Sequence, residues 1–309
     1  MDTLLPQLIN GLTLGGMYAL IALGYTLVYG VLRLINFAHS EMIMTGGYVG
    51  LGAFLLLTNE RVFGGVARWF AAGGAVAIVT LLLLIILIAA LVTGLLGMLI
   101  ERVAYRPLRN APRLAPLISA VGVSIFLQQA MLLWVFPSHS FPAIVPMHNF
   151  GGGLTTMRLV IIGTSIVLLV TLDRFVQRTR MGRAMRAVSQ DRDAARLMGV
   201  NINHVIAITF LVGPALGAVA GVFSGMYYGS ITYNMGFFPG IKAFTAAVIG
   251  GIGSVRGAML GGFLLGMIES LVAAYVSAAY KDVITFIILI LVLVLRPGGI
   301  FGNAQAEKV

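Results

Sequence analysis

The run from Ala75 to Ile100 carries no charged side chain. It is longer than the ~20 apolar residues a helix needs to cross a bilayer. A chain with several such runs cannot hide them all in a soluble core. The whole sequence agrees, being 59% hydrophobic and only 10% charged. A soluble domain has about 25% charged residues. Alternating segments of about 10 residues, the mark of a membrane barrel, are absent. The expected fold class is all-α, a polytopic integral membrane protein.

Apolar runs place spans at about residues 8–32, 41–57, 72–100, 116–136, 158–172, 205–228, 257–280 and 283–295. Ile241 to Gly253 is apolar but only about 20 Å long as a helix, so it reads as a half-helix or re-entrant piece. Eight or nine transmembrane helices result, in one domain over residues 1–309. Residues 33–40 break the chain after the first span, and residues 59–70 read as a surface loop. In the first basic loop, 101–113, Pro107 and Pro112 argue against a long helix. Residues 137–157 hold three prolines, the run Gly151-Gly152-Gly153 and no positive charge. Asp2 and the lack of a basic residue ahead of the first apolar stretch argue against a cleaved signal peptide.

The net charge of +10 could point to nucleic acid. Here the arginines cluster in two segments between spans, as the positive-inside bias requires. Membrane lipid is the expected surroundings, and no nucleic-acid partner is expected. With both basic segments in the cytoplasm, the N-terminus lies outside and the C-terminus inside if Ile241–Gly253 spans. The chain has no cysteine, which excludes disulfides and Cys-ligated metals. The four histidines share no metal-ligand spacing, so no metal is expected.

The second basic segment, about residues 174–203, holds seven of the seventeen arginines between two apolar spans. Met185, Val188, Ala195 and Met198 fall at helical spacings, with Arg183, Arg186, Arg192 and Arg196 mostly off that face. Ser189 can cap a short helix over about Gln190 to Met198. Asp191 and Asp193 then fall in its first turn and Arg196 in its last, as the helix dipole favours. Gly199 provides a C-terminal stop. Two readings stand: an amphipathic helix on lipid headgroups, or a docking helix for a cytoplasmic partner.

Gly213, Gly217, Gly221, Gly225 and Gly229 recur every four residues, a stripe that lets helices approach closely in lipid. It serves ordinary packing or a face that slides during transport. Gly257, Gly261 and Gly266 form a shorter seam, and Pro214 is expected to kink its helix. Ionisable groups inside a membrane are functional candidates. Asn36, His39 and Glu41 sit at the first break, and Glu269 near the middle of span 257–280. Each reads as a pathway or gate residue, or as structure, with Asn36 and Ser40 capping the break. Gln128 and Gln129 suit inter-helix hydrogen bonds. Lys242 and Arg256 read as interfacial anchors. Phe37, Met17, Tyr18, Met44, Phe237 and Phe244 could line an apolar wall. Ser124, Ser165, Ser224, His39 and His204 give no nucleophile–base arrangement, which argues against an intramembrane enzyme.

Asp193-Ala194-Ala195-Arg196-Leu197-Met198-Gly199 resembles the E-A-A-x-x-x-G loop of ABC importer permeases, with Asp in place of Glu and without the usual I-x-L-P continuation. Residues 12–20 (LTLGGMYAL), 34–39 (LINFAH), 182–187 (GRAMRA) and 244–254 (FTAAVIGGIGS) are similar to permeases of branched-chain amino-acid ABC importers. The likeness covers almost the whole chain. It implies a bacterial inner-membrane permease subunit without its own ATPase. A homologous second permease subunit would complete the pathway, and two cytoplasmic ATPase subunits would hold ATP and Mg. A periplasmic substrate-binding protein would deliver the amino acid. This chain would bind no cofactor. No Walker-type G-x-x-x-x-G-K-[ST] occurs in the sequence. Permeases for urea or short amides are alternatives within the family. A proton- or sodium-coupled secondary transporter, with Glu41, His39 or Glu269 as relay, is the alternative outside it.

Overall fold

The computed structural model describes residues 4–109, 111–112, 114–135, 138–296 and 298–300. Asp2, Arg113, Phe136 and Pro137, used above, lie outside them. The helices are α1 (Leu4–Leu32), α2 (His39–Leu57), α3 (Glu60–Ala71), α4 (Ala75–Ile100), α5 (Leu114–Trp134) and α6 (Thr156–Arg178). They continue with α7 (Arg180–Gln190), α8 (Arg192–Leu197), α9 (Ile202–Tyr228), α10 (Phe237–Gly250), α11 (Val255–Tyr275) and α12 (Lys281–Leu295). Among the described residues, 8 helical stretches are long and apolar enough to cross a membrane. Helix α10, with 14 residues, is the short apolar piece.

Side-chain caps set several helix starts. Asn59, Thr155, Thr179 and Ser254 each accept a bond from a backbone N–H two or three residues on, at the heads of α3, α6, α7 and α11, which satisfies an otherwise orphan donor. The first of these explains why residues 60–71 are helical rather than a loop. Ala67 and Phe70 then bury one face of α3, and Gly64 bends it at φ 38°. Helix α4 does not stop at Ile100. It widens into a π turn, Glu101–Tyr105, and tightens into a 3₁₀ turn, Arg106–Leu108. Pro107 lies in the first positions of that tight turn, where its missing N–H costs nothing. Helix α6 likewise runs past residue 172 to Arg178, and α2 begins at His39. The N-cap position of α2 is Ala38, without a side-chain bond, and the Ser40 hydroxyl donates to the Phe37 carbonyl at 2.8 Å inside the break.

The chain forms two compact units. The first comprises residues 1–36, 148–209 and 238–309. Its axis is α1, buried without a break from Thr13 to Val28. Glycines bring the neighbouring backbones onto it. A Cβ on Gly262 would collide with Ala19, one on Gly266 with Gly15, and one on Gly16 would lie 3.0 Å from the Ser165 hydroxyl of α6. Helix α10 meets α11 the same way, through Gly250 against Gly257 and Ala246 against Gly261. Helix α12 stays peripheral and buries only Thr285.

The second unit comprises residues 37–147 and 210–237. Helix α2 packs on α9 through Gly46 against Ala218 and Gly221 against the Ile43 carbonyl. Gly94 and Gly97 of α4 receive Leu211 and Pro214. A ribbon of β1 (Ser138–Ser140) and β2 (Ser230–Thr232) pairs antiparallel, with His139 opposite Ile231. Gly225 rests on Phe141 and Ile231. The glycine stripe thus has distinct fates along its length. Gly213 is buried in α9, and Gly217 faces Met42 and His39. Gly229 lies one residue past the helix, exposed, at φ 68° with nothing near its Cβ position. It turns the chain into β2 rather than packing a helix.

Candidate functional site

The basic segment folds as an elbow. Thr179 breaks the helix between α6 and α7, and its hydroxyl accepts from Gly182 N at 3.0 Å. Gly182 sits so close to the Val176 and Phe175 carbonyls that any Cβ would overlap them. Arg186 donates to the Val176 carbonyl and, at 3.3 Å, to that of Gln177. It therefore staples the last turn of α6 while remaining exposed. Arg183 is exposed and reaches only the Arg178 carbonyl, at 3.4 Å.

A second break follows at Asp191. Its carboxylate accepts from Asp193 N at 2.8 Å and Ala194 N at 3.0 Å, so Asp191 and not Ser189 caps α8. Ser189 is still inside α7, its hydroxyl on the Arg186 carbonyl at 2.7 Å. Gln190 ends α7 and is exposed. The carbonyls of Ala195 and Arg196 receive Val200 N and Gly199 N, both at 3.0 Å, with Gly199 at φ 81°. This is a Schellman stop. The bend at Asp191 also divides the expected apolar face. Met185, Val188 and Ala195 are buried, but Met198 is 84% exposed and Leu197 89%. Asp193 and Ala194 are exposed beside them. The elbow is tied to the C-terminal end of α1. Arg192 donates to the carbonyls of Val31 at 3.1 Å and Leu32 at 2.7 Å, and Arg33 donates to the Ser189 carbonyl at 3.3 Å.

The first unit also holds a charge cluster around a buried ion pair. Lys242 is not an interfacial anchor: it is 5% exposed, with its ammonium 2.7 Å from Glu269 and 2.6 Å from Asp282. Tyr18 donates to the other Glu269 oxygen at 2.8 Å, and Lys281 lies 3.6 Å from Glu269. Lys242 and Glu269 form the buried pair, and the half-exposed Asp282 and Lys281 add one charge of each sign at its edge. The apolar span pointed to Glu269 alone; its partners Lys242, Lys281 and Asp282 come together only in the fold. Arg256 pairs with Asp173 at 3.2 Å on the surface. Asn36 is buried in this unit, and Phe244 meets Tyr25 edge-on, beside a small apolar cavity also lined by Tyr29 and Ile35.

In the second unit His39 and Glu41 are fully buried in the first turn of α2, whereas Phe37 is 40% exposed and Phe237 47%. One carboxylate oxygen of Glu41 accepts from Ser40 at 3.1 Å, Ser124 at 3.0 Å and Gln128 at 2.9 Å. Glu101, also buried, is paired with Arg109 and Arg106.

Comparison with known proteins shows the family. The family model described as "Branched-chain amino acid transport system / permease component" matches residues 7–293. The chain is 46% identical to the high-affinity branched-chain amino acid transport system permease protein BraD of Pseudomonas aeruginosa, over 99% of this chain and 98% of that protein. It is 46% identical to the corresponding protein LivH of Escherichia coli, over 99% of this chain and 97% of that one. A probable branched-chain amino acid transport permease protein of Methanocaldococcus jannaschii is 27% identical over 92% of this chain and 88% of its own length. With transmembrane helices throughout and a match that runs through nearly all of them, this chain belongs to the permease-component family of branched-chain amino acid transport systems.

Proposed function

We propose that this chain is the membrane-spanning subunit of an inner-membrane ABC importer for branched-chain amino acids. An external binding protein delivers the substrate, and a homologous second permease subunit completes the pathway. Two separate cytoplasmic ATPase subunits, holding ATP and Mg, drive it. The substrate reading rests on the relatives; the single match over residues 7–293 supports one permease domain. The lack of a Walker-type run supports an external motor.

The observation that carries the coupling role is the elbow of α7 and α8. A helix of 6 residues has no stability of its own. Here both ends are capped and Arg192 ties it to α1. The result is a rigid tip that presents Leu197 and Met198 outward. Large apolar side chains held rigidly in the open are anchors for a partner groove. The test uses the absence of native cysteine. Leu197→Cys is co-expressed with the ATPases and treated with a short cross-linker. Cross-linking to an ATPase subunit, with a yield that changes with ATP, is expected. A cysteine that labels freely in every nucleotide state and never cross-links would place the tip on lipid headgroups instead.

A further inference from the structure

Glu41 is the one buried acid among the described residues with no basic partner. Glu269 has Lys242 and Lys281, and Glu101 has Arg106 and Arg109. Glu41 is 0% exposed, and no Lys, Arg or His side chain lies within ion-pair distance among the described residues. Its hydrogen bonds are one-sided. Ser40, Ser124 and Gln128 all donate to Oε1, while Oε2 is buried without a partner. A buried carboxylate left with a bare oxygen is costly, and a buried charge without a counter-charge more so. Yet three donors and the first turn of a helix both suit negative charge at this point. A positive group at Oε2 resolves the conflict.

The approach to Glu41 is also polar. Ser124 and Gln128 stand on α5 and are half-buried. That helix buries only Pro116, Ala120 and Leu127. Polar side chains at membrane depth belong next to protein or a water-filled cavity rather than lipid.

We propose that Oε2 of Glu41 is a cation site in the transport path, and that the cation it receives is the α-ammonium group of the transported amino acid. This assignment of the ammonium rests on the import reading above. The test uses the complete transporter in vesicles, with leucine-loaded binding protein outside and ATP at the motors. Glu41→Gln keeps an oxygen that accepts the same three bonds and removes the charge. Leucine uptake by this variant should fall by about tenfold or more, with assembly and basal ATP hydrolysis kept. Normal uptake by E41Q overturns the proposal. The second readout is modification of Glu41 in the parent by an apolar carbodiimide, followed by mass spectrometry. Leucine under turnover should slow it. Protection by sodium or by raised pH, and not by leucine, overturns the ammonium assignment in favour of an inorganic cation or a proton. A parent that imports no leucine while leucine still protects Glu41 counts against the import reading and leaves the cation site standing.

Discussion

At the scale of single residues, the cluster around Lys242 holds three elements together by charge. Lys242 comes from α10, Glu269 from α11 and Asp282 from α12. Helix α12 buries only Thr285, and its Asp282 and Lys281 reach this pair. Breaking a buried pair from one side leaves a stranded charge, at a cost of about 3–5 kcal/mol. Lys242→Met strands Glu269 and Asp282 with Lys281 alone, so the detergent-solubilised protein should melt at a clearly lower temperature. The double variant K242M/E269M removes one charge of each sign and should lose less than the two single losses combined. A K242M protein that melts with the parent would mean that the cluster is solvated and its proximity carries little energy. Arg186 shows that an exposed charge can also hold structure. Its guanidinium donates to two α6 carbonyls while the side chain stays exposed on the elbow.

At the scale of helices, glycine decides where backbones touch. A Cβ on Gly221 would occupy the place of the Ile43 carbonyl oxygen, so Gly221→Leu has to push α9 off α2. Gly163 on α6 has open space around it, and leucine there is also the better helix former. We expect G221L to give no monodisperse protein on size-exclusion chromatography and G163L to behave as the parent. Equal profiles would show that α2 and α9 can separate without loss of fold. The glycine period announced a close contact, but it could not say that Gly229 had already left the helix. That depended on where α9 ends, which is set by the pairing of β2 with β1. The same limit runs through the other elements. The long spans were legible because apolar runs of bilayer length leave the chain no alternative. Helix α3 was not, because its only signals are the Asn59 cap and two buried side chains. The bend at Asp191 was half legible: the acidic turn and Gly199 were read correctly, while the choice of cap turned on two hydrogen bonds that spacing alone does not fix. Of the polar residues, Glu41 and Glu269 stood out as charges in apolar runs. Their partners come from distant spans, so only the fold pairs them.

At the scale of the transport cycle, the proposed docking of the ATPases at the elbow requires a physical connection from the elbow into the membrane. Within the first unit that connection is short. Arg192 bonds the two last carbonyls of α1, and α1 lies along α11 with backbones nearly touching at Gly15, Ala19, Gly262 and Gly266. Close-packed helices of this kind move as one body, since interiors transmit strain rather than absorb it. Helix α11 carries Glu269, bonded to Tyr18 of α1, so on the proposed docking a push on α8 would run to the charge cluster. This makes Arg192 a positioning residue for coupling and separates its role from that of Arg183, which is free to face a partner. Arg192→Ala should leave the ATPases bound and hydrolysing, while leucine carried per ATP falls by about tenfold. Arg183→Glu should instead weaken co-purification of the ATPases, with the ratio of uptake to hydrolysis unchanged in whatever complex remains. Co-purification and the transport-to-hydrolysis ratio are measured on the same preparations. If R192A loses the ATPases and R183E loses the ratio, the roles are reversed. If both variants lose only the ATPases, the tie to α1 does nothing beyond shaping the docking tip, and the force enters the membrane by another helix.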